Sequence, residues 1–346
     1  MKMTGITKLK RDKGFELASH PIPKPGYNDT LIKITKAGIC GTDLHIYNWD
    51  KWSEERIKPP VIGGHEFVGE IVEVGKGVKL VKPGDRVSAE GHIVCGVCRF
   101  CRTGQAHICE KTQIIGVDTD GCFAEYLKMP AENLWPVTKT IPDKYAAIFD
   151  PLGNAMHTIM SGNVSGKSVL IIGAGAIGLF AVPLAKSAGA SSVYVLEPNE
   201  YKAKLAKKVG AERIFRPQDK KVKENLLDLT DGLGPEVILE MSGNPNGIKF
   251  GLEIIRNGGT FVMLGIPSQD FTINWARDVI FKGITINGVS GRRLYDTWYR
   301  CQGFLEKNYK VIEPIITHEF DYKDFNKGFE LMNTGKTGKI ILNFSK

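Results

Sequence analysis

The chain has 346 residues, 42% of them hydrophobic and 24% charged, with a formal net charge of +8. That length favours two domains over one, and its basic residues are interspersed with acids rather than gathered into an arm, which argues against a nucleic-acid partner. The opening MKMTGITKLKRDKG is basic but leads into no apolar stretch, so no secretory signal is expected.

From about residue 26 to 145, short β-branched runs cut by glycine and proline (DTLIKITKAG, EFVGEIVEVGKGV, KPGDRVSAEG) predict a β-rich, loop-rich lobe. Within it, Cys40 in AGICGTDLH and the pair His65 and Glu66 in GGHEFVGE offer a thiolate, an imidazole and a carboxylate from two turns. Three such ligands plus one exchangeable position is the arrangement of catalytic zinc. Taken singly, Cys40 reads as a small buried hydrophobe and His65 as a satisfied loop histidine. Their conjunction with the dinucleotide motif described below favours ligation.

The segment CGVCRFCRTGQAHIC sets Cys95, Cys98, Cys101 and Cys109 in C-x2-C-x2-C-x7-C spacing. Four soft ligands from one loop suit tetrahedral zinc with no open position, a structural staple rather than a Lewis acid. An iron–sulfur cluster is disfavoured because the final interval is seven residues and the Cys-Pro signature is absent. The odd total of seven cysteines, with Cys40, Cys122 and Cys301 isolated, does not resemble an extracellular disulfide framework and fits a reducing compartment.

From about 166 to 290, apolar strands alternate with amphipathic helices, which predicts a parallel sheet covered on both faces. The first, SVLIIG, runs into VLIIGAGAIGLFAVPLA, an apolar run of seventeen residues that nears bilayer-spanning length. Its glycines argue against a membrane span. Gly173, Gly175 and Gly178 stand in G-x-G-x-x-G spacing between strand and helix, with Ile177 inside the motif, as in a dinucleotide-binding turn. Glu197, nineteen residues past Gly178, can accept from both adenosine ribose hydroxyls and would repel a 2′-phosphate. NAD is therefore favoured over NADP, with Lys202 as the one cation that could soften the preference. The nicotinamide end is expected along MLGIP and GVSGR, where Leu264, Gly265, Ile266, Val289 and Ser290 close successive strands. A helix near 294 to 307, a strand-like ITHEF, another helix and the strand KIILNF complete the chain and are expected to return to the first lobe.

With these motifs in hand, the sequence resembles the zinc-containing medium-chain alcohol dehydrogenase family over essentially its whole length. That resemblance implies an α/β protein: a GroES-like, zinc-binding catalytic domain over 1–149 and 294–346, and a Rossmann NAD-binding domain with a doubly wound parallel sheet over 150–293. It also implies two zinc ions per subunit, one catalytic and one structural. The stretches GICGTDLHIYNWDKW, EGHIVCGVC, IFDPLGNAMHT, LEMSG, GRRLYDTWY and PIITH look like the branch that oxidises the β-hydroxyl of L-threonine to 2-amino-3-oxobutanoate, in a cytoplasmic homotetramer. At the family's third ligand position, often a second cysteine, this chain has Asp150, and Glu66 competes with it for the same coordination site. By the same resemblance Thr42 and His45 form the route by which the substrate proton leaves.

Lowering a hydroxyl pKa from about 16 to about 7 is worth roughly 12 kcal/mol, against about 3–5 kcal/mol from a positioned base. The metal must therefore supply most of the activation. Threonine differs from a plain alcohol by its ammonium and carboxylate. Asp150 or Glu66 can face the ammonium, and Arg292 can grip the carboxylate in bidentate fashion, with His92 as a further polar contact. An inter-lobe salt bridge is the other reading of Arg292. Two further readings are a polyol or 2,3-butanediol dehydrogenase of the same family, which needs no carboxylate grip, and a zinc-bearing nucleic-acid binder, which lacks finger spacing and a basic stripe.

Overall fold

The computed structural model describes residues 1–345, which divide into two compact units. Unit one comprises Met1–Pro151, Arg293–Tyr309 and Ile316–Lys346; unit two comprises Leu152–Arg292 and Lys310–Ile315. The boundary expected at 149/150 thus falls two residues later, and the turn of residues Lys310–Ile315 groups with unit two rather than with the catalytic segment around it. Helix Phe149–Gly162 carries the chain across the boundary.

Unit one is built on a largely antiparallel sheet in the order Leu134–Pro136, Arg86–Ala89, Glu66–Val74, Asp29–Ile39, Lys339–Asn343, Ile316–Asp321. Strand Tyr126–Pro130 also pairs with Asp29–Ile39. Alternation along these strands sends Ile32, Ile34, Phe67, Ile71, Leu127, Ile340 and Leu342 into one core with Phe123 and Phe329. Burial of each such side chain stabilises the unit by about 1.5–3 kcal/mol. The strand Lys339–Asn343 lies between Asp29–Ile39 and the edge strand Ile316–Asp321, with Ile340 opposite Ile39 and Leu342 opposite Ala37.

Unit two is a six-stranded parallel sheet in the order Arg213–Phe215, Ser192–Leu196, Ser168–Ile172, Val237–Glu240, Thr260–Met263, Thr285–Gly288. In chain order this is 3-2-1-4-5-6, the doubly wound arrangement, whose switch point lies beyond the C-terminal ends of Ser168–Ile172 and Val237–Glu240. Strands buried on both faces read as continuous apolar runs, which is why the alternation over 166–290 was legible. The three-residue Arg213–Phe215, with one exposed arginine, carries no such run. Among the described residues no helix is long and apolar enough to cross a membrane.

Candidate active site

The first cluster lies wholly in unit one. The stretch expected to be a turn, after Cys40, is a helix, Gly41–Asn48, with Cys40 at its N-cap in extended conformation. Asp43 closes a capping box: its Oδ2 accepts the Cys40 N–H at 2.8 Å, and the Cys40 side chain receives the Asp43 N–H. Its other oxygen accepts from Gly64 N at 3.2 Å and stands 3.7 Å from His65 Nδ1. One fully buried carboxylate therefore ties together the two turns that bear Cys40 and His65. Sequence reading missed Asp43; the capping-box spacing was the available signal.

Ligand atoms of Cys40, His65 and Glu66 lie within 4.8 Å of one another. His65 is buried, its Nδ1 makes no hydrogen bond, and its ring contacts the Cys40 sulfur. Burial opposes a charged imidazole here, yet Asp43, Cys40 and Asp150 together outweigh it and raise the His65 pKa well above the ordinary value. Such surroundings call for a cation. A thiolate, an imidazole and a carboxylate converging on one point fit zinc, with Cys40 and His65 as the softer donors.

Glu66 is not a free carboxylate. Lys339, from the C-terminal strand, donates to both its oxygens at 2.8 and 2.9 Å and to the Ile39 carbonyl at 2.9 Å. Both side chains are buried, and although desolvation disfavours the ammonium, Glu66 and then Cys40 hold the Lys339 pKa above its usual value. The close approach needs a glycine opposite: a Cβ on Gly38 would stand 2.2 Å from Glu66 Oε2. Asp150, offered as a third ligand, lies outside the three-residue cluster, although its charge is felt by His65, Glu66 and Lys339. It stands in the first turn of helix Phe149–Gly162, a different element from those that carry the other three.

Thr42 and His45 lie three apart on helix Gly41–Asn48 and so share a face. The Thr42 hydroxyl is 4.0 Å from Cys40 Sγ, and His45 Nδ1 is hydrogen-bonded to Asp50, which also caps the next helix, Lys51–Arg56.

The four clustered cysteines form a second site of the same unit. Their sulfurs stand 3.5 Å (Cys98–Cys101), 3.6 Å (Cys95–Cys109) and 3.9 Å (Cys98–Cys109) apart. A tetrahedron with Zn–S bonds of about 2.3 Å has sulfurs about 3.8 Å apart, whereas a disulfide needs about 2.05 Å. Backbone N–H groups already point at these sulfurs, from Cys101 to Cys98 and from Cys95 and Lys111 to Cys109. Burial would push the Cys109 thiol up, but those two N–H groups carry it down to about 6, so it is ready to ligate as thiolate.

The dinucleotide turn lies in unit two. Strand Ser168–Ile172 ends in Gly173 at φ +93°, and helix Ala176–Ser187 starts from Gly175. A Cβ on Gly178 would meet the Gly173 carbonyl oxygen at 2.0 Å, so the third glycine is required by packing, whereas Gly175 faces open space that a pyrophosphate can enter. Ile177 sits in the first turn of that helix. Glu197, at the end of the neighbouring strand, accepts from Ala174 N at 2.6 Å and Asn199 N at 2.8 Å, which fixes it beside the turn. Lys202 follows on helix Glu200–Lys208, partly exposed. Leu264 and Gly265 are half-buried past strand Thr260–Met263, Ile266 is 89% exposed, and Val289 and Ser290 follow strand Thr285–Gly288. Sequence reading missed Glu240, whose buried carboxylate accepts from Ser242 N and Gly243 N at the switch point and stands 2.5 Å from where a Gly265 Cβ would be. Burial, opposed by those donors, raises its pKa. Arg292, at the end of the unit, is buried, and His92, in unit one, is held by Glu90.

Comparison with known proteins agrees with both halves. The alcohol dehydrogenase GroES-like domain matches residues 26–139, and the zinc-binding dehydrogenase domain matches residues 176–307. The chain is 50% identical to an L-threonine 3-dehydrogenase of Caldanaerobacter subterraneus and 48% identical to one of Pyrococcus horikoshii, each over 98% of both chains. An alcohol dehydrogenase structure from Thermotoga maritima superposes with a TM-score of 0.92 at 26% identity, covering 99% of each chain. With one domain match spanning the clustered cysteines and the other beginning at the helix that follows Gly175, the chain belongs to the zinc-containing medium-chain alcohol dehydrogenase family.

Proposed function

We propose that this protein is an L-threonine 3-dehydrogenase, oxidising the β-hydroxyl of L-threonine to 2-amino-3-oxobutanoate with reduction of NAD. The observation that carries this reading is its near-half identity, over almost the full length, to proteins named for that activity. Cys40, His65 and Glu66 would hold a catalytic zinc, and Cys95, Cys98, Cys101 and Cys109 a structural one, giving two per subunit. When bound, zinc would acidify the substrate hydroxyl and NAD would accept the hydride from Cβ.

The chain's own residues do the rest. Thr42 accepts the hydroxyl proton and passes it to His45, whose Nδ1 is engaged by Asp50 so that Nε2 takes the incoming proton. Gly173, Gly175, Ile177 and Gly178 seat the pyrophosphate, and Glu197 selects ribose hydroxyls over a 2′-phosphate. Lys202, Leu264, Gly265, Ile266, Val289 and Ser290 are proposed as further cofactor contacts. Arg292 binds the substrate carboxylate. Asp150 serves as an electrostatic partner of the metal centre.

The test is NADH formation from threonine, butane-2,3-diol and butan-2-ol, with and without a chelator. Threonine is expected to lead in kcat/KM, and the chelator to abolish turnover. Arg292→Ala should raise KM for threonine roughly 10- to 100-fold, the worth of a charge-assisted contact, and leave that for butan-2-ol within twofold. Turnover of the diol in preference to threonine would overturn the assignment.

A homotetramer goes with this reading. It is supported by the edge strand Thr285–Gly288 of unit two and by Trp275, Ile280 and Phe281 nearby in sequence, 61%, 67% and 81% exposed. Light scattering should return four times the 38.2 kDa chain mass, and a monomer would refute it. A cytoplasmic location suits cysteines none of which is in a disulfide among the described residues, and cell fractionation checks it.

A further inference from the structure

Glu240 closes strand Val237–Glu240 of unit two, and its side chain is fully buried. Every partner of that carboxylate is a neutral donor. Its Oε1 accepts from Ser242 N at 2.9 Å, from Gly243 N at 3.1 Å and from the Ser242 hydroxyl, which itself accepts from Asn244 N at 3.0 Å and so turns its hydrogen to Glu240. Its Oε2 takes only a longer contact, 3.3 Å from Gly243 N. Among the described residues no lysine, arginine or histidine answers it, and burial accordingly pushes the carboxyl above the ordinary glutamate range. Glu66, equally buried, has the Lys339 ammonium against both of its oxygens. A buried carboxylate is costly unless a counter-charge meets it.

Its place in the sheet says where that counter-charge would come from. Leu196 and Glu240 pair with Ile172 from opposite sides, so Glu197 and Glu240 flank the strand that runs into the glycine turn. Glu197 stands on the side of the adenosine ribose, and Glu240 on the other. The Glu240 carbonyl accepts from Leu264 N at 3.0 Å and Gly265 N at 3.1 Å, at the strand end proposed for the nicotinamide. A Cβ on Gly265 would stand 2.5 Å from Glu240 Oε2, so the less engaged oxygen lies directly under that strand end.

From this geometry we propose that the Glu240 carboxylate is the counter-charge for the oxidised nicotinamide ring, so that unit two holds the pyridinium form of NAD in preference to neutral NADH. The inference rests on the proposed use of NAD and deepens it. Charge placed near a cofactor ring is one of the means by which a protein tunes that cofactor. Once the ring gains a hydride it loses its charge, and the attraction that held it is gone. Release of NADH is thereby eased.

Dissociation constants of the zinc-loaded enzyme for four ligands test this: NAD, NADH, ADP-ribose, which lacks the nicotinamide, and benzamide adenine dinucleotide, whose phenyl ring keeps the shape of the pyridinium without its charge. The native enzyme is expected to bind the benzamide analogue about tenfold more weakly than NAD. Glu240→Gln keeps the size of the side chain and an acceptor for Ser242 and Gly243. It should weaken NAD about tenfold and leave the three uncharged-ring or ringless ligands within twofold. Equal weakening of all four ligands, as a merely structural role would give, or unchanged affinity for NAD, overturns the proposal. If Glu240→Gln does not fold, the native enzyme decides: a benzamide analogue bound as tightly as NAD refutes it. Failure of threonine turnover would remove the proposed function while these binding constants still report on Glu240.

Discussion

Cys40→Ala is expected to lower kcat/KM for threonine by about 10⁵-fold. Roughly 12 kcal/mol of hydroxyl acidification rests on the proposed catalytic zinc, and a side-chain base such as the Thr42–His45 pair returns only about 3–5 kcal/mol of it. The lower end of the remaining roughly 7–9 kcal/mol, at about 1.36 kcal/mol per decade, gives that loss. Metal analysis should fall from two zinc ions per chain to one, because the four-cysteine site lies on a separate loop with its own N–H···S contacts. Cys101→Ser should do the converse: the ion on that loop is lost and the 95–112 segment becomes sensitive to protease, while zinc stays at Cys40 and His65. A Cys40→Ala protein that keeps both ions and more than a hundredth of its activity would disprove the assignment of Cys40.

Lys339→Met is expected to destabilise unit one by about 3–5 kcal/mol, as far as any single change at the site. The reason is what it leaves behind, since Glu66 is buried and Lys339 reaches both its oxygens. Removing one member of a buried pair strands a charge that the interior cannot solvate, whereas removing both is far milder. Glu66→Gln combined with Lys339→Met should therefore recover at least half of the lost stability in denaturant unfolding of the full chain. If the double variant is no more stable than Lys339→Met alone, the pair is not what holds this corner of the sheet together.

What could be read from the sequence was whatever chemistry is written in consecutive residues. Cys95 to Cys109 span fifteen positions, so their ligand spacing is a local fact, and the turn from Gly173 to Gly178 carries its own steric reasons. The helix that follows Cys40 was hidden for an equally local reason. Aromatic and polar residues there show no clear 3.6-residue stripe, so the helix Gly41–Asn48 is announced mainly by its cap, Cys40 with Asp43 three residues on.

The sequence by itself pointed to the two-domain α/β class and, through its family resemblance, to a doubly wound nucleotide-binding sheet, and it singled out Cys40, His65 and Glu66, whose ligand atoms the fold brings within 4.8 Å of one another. Only the tertiary structure decided who answers the buried charges. Lys339 reaches Glu66 across 273 positions and Trp298 reaches Glu90 across 208. Lys339 opens an ordinary-looking strand, KIILNF, and becomes a buried cation because the register that sets Ile340 opposite Ile39 and Gly38 opposite Glu66 brings its ammonium onto that carboxylate. A ligand motif is carried by neighbours in the chain. The counter-charge that makes its burial tolerable is chosen by strand pairing, which no local pattern encodes.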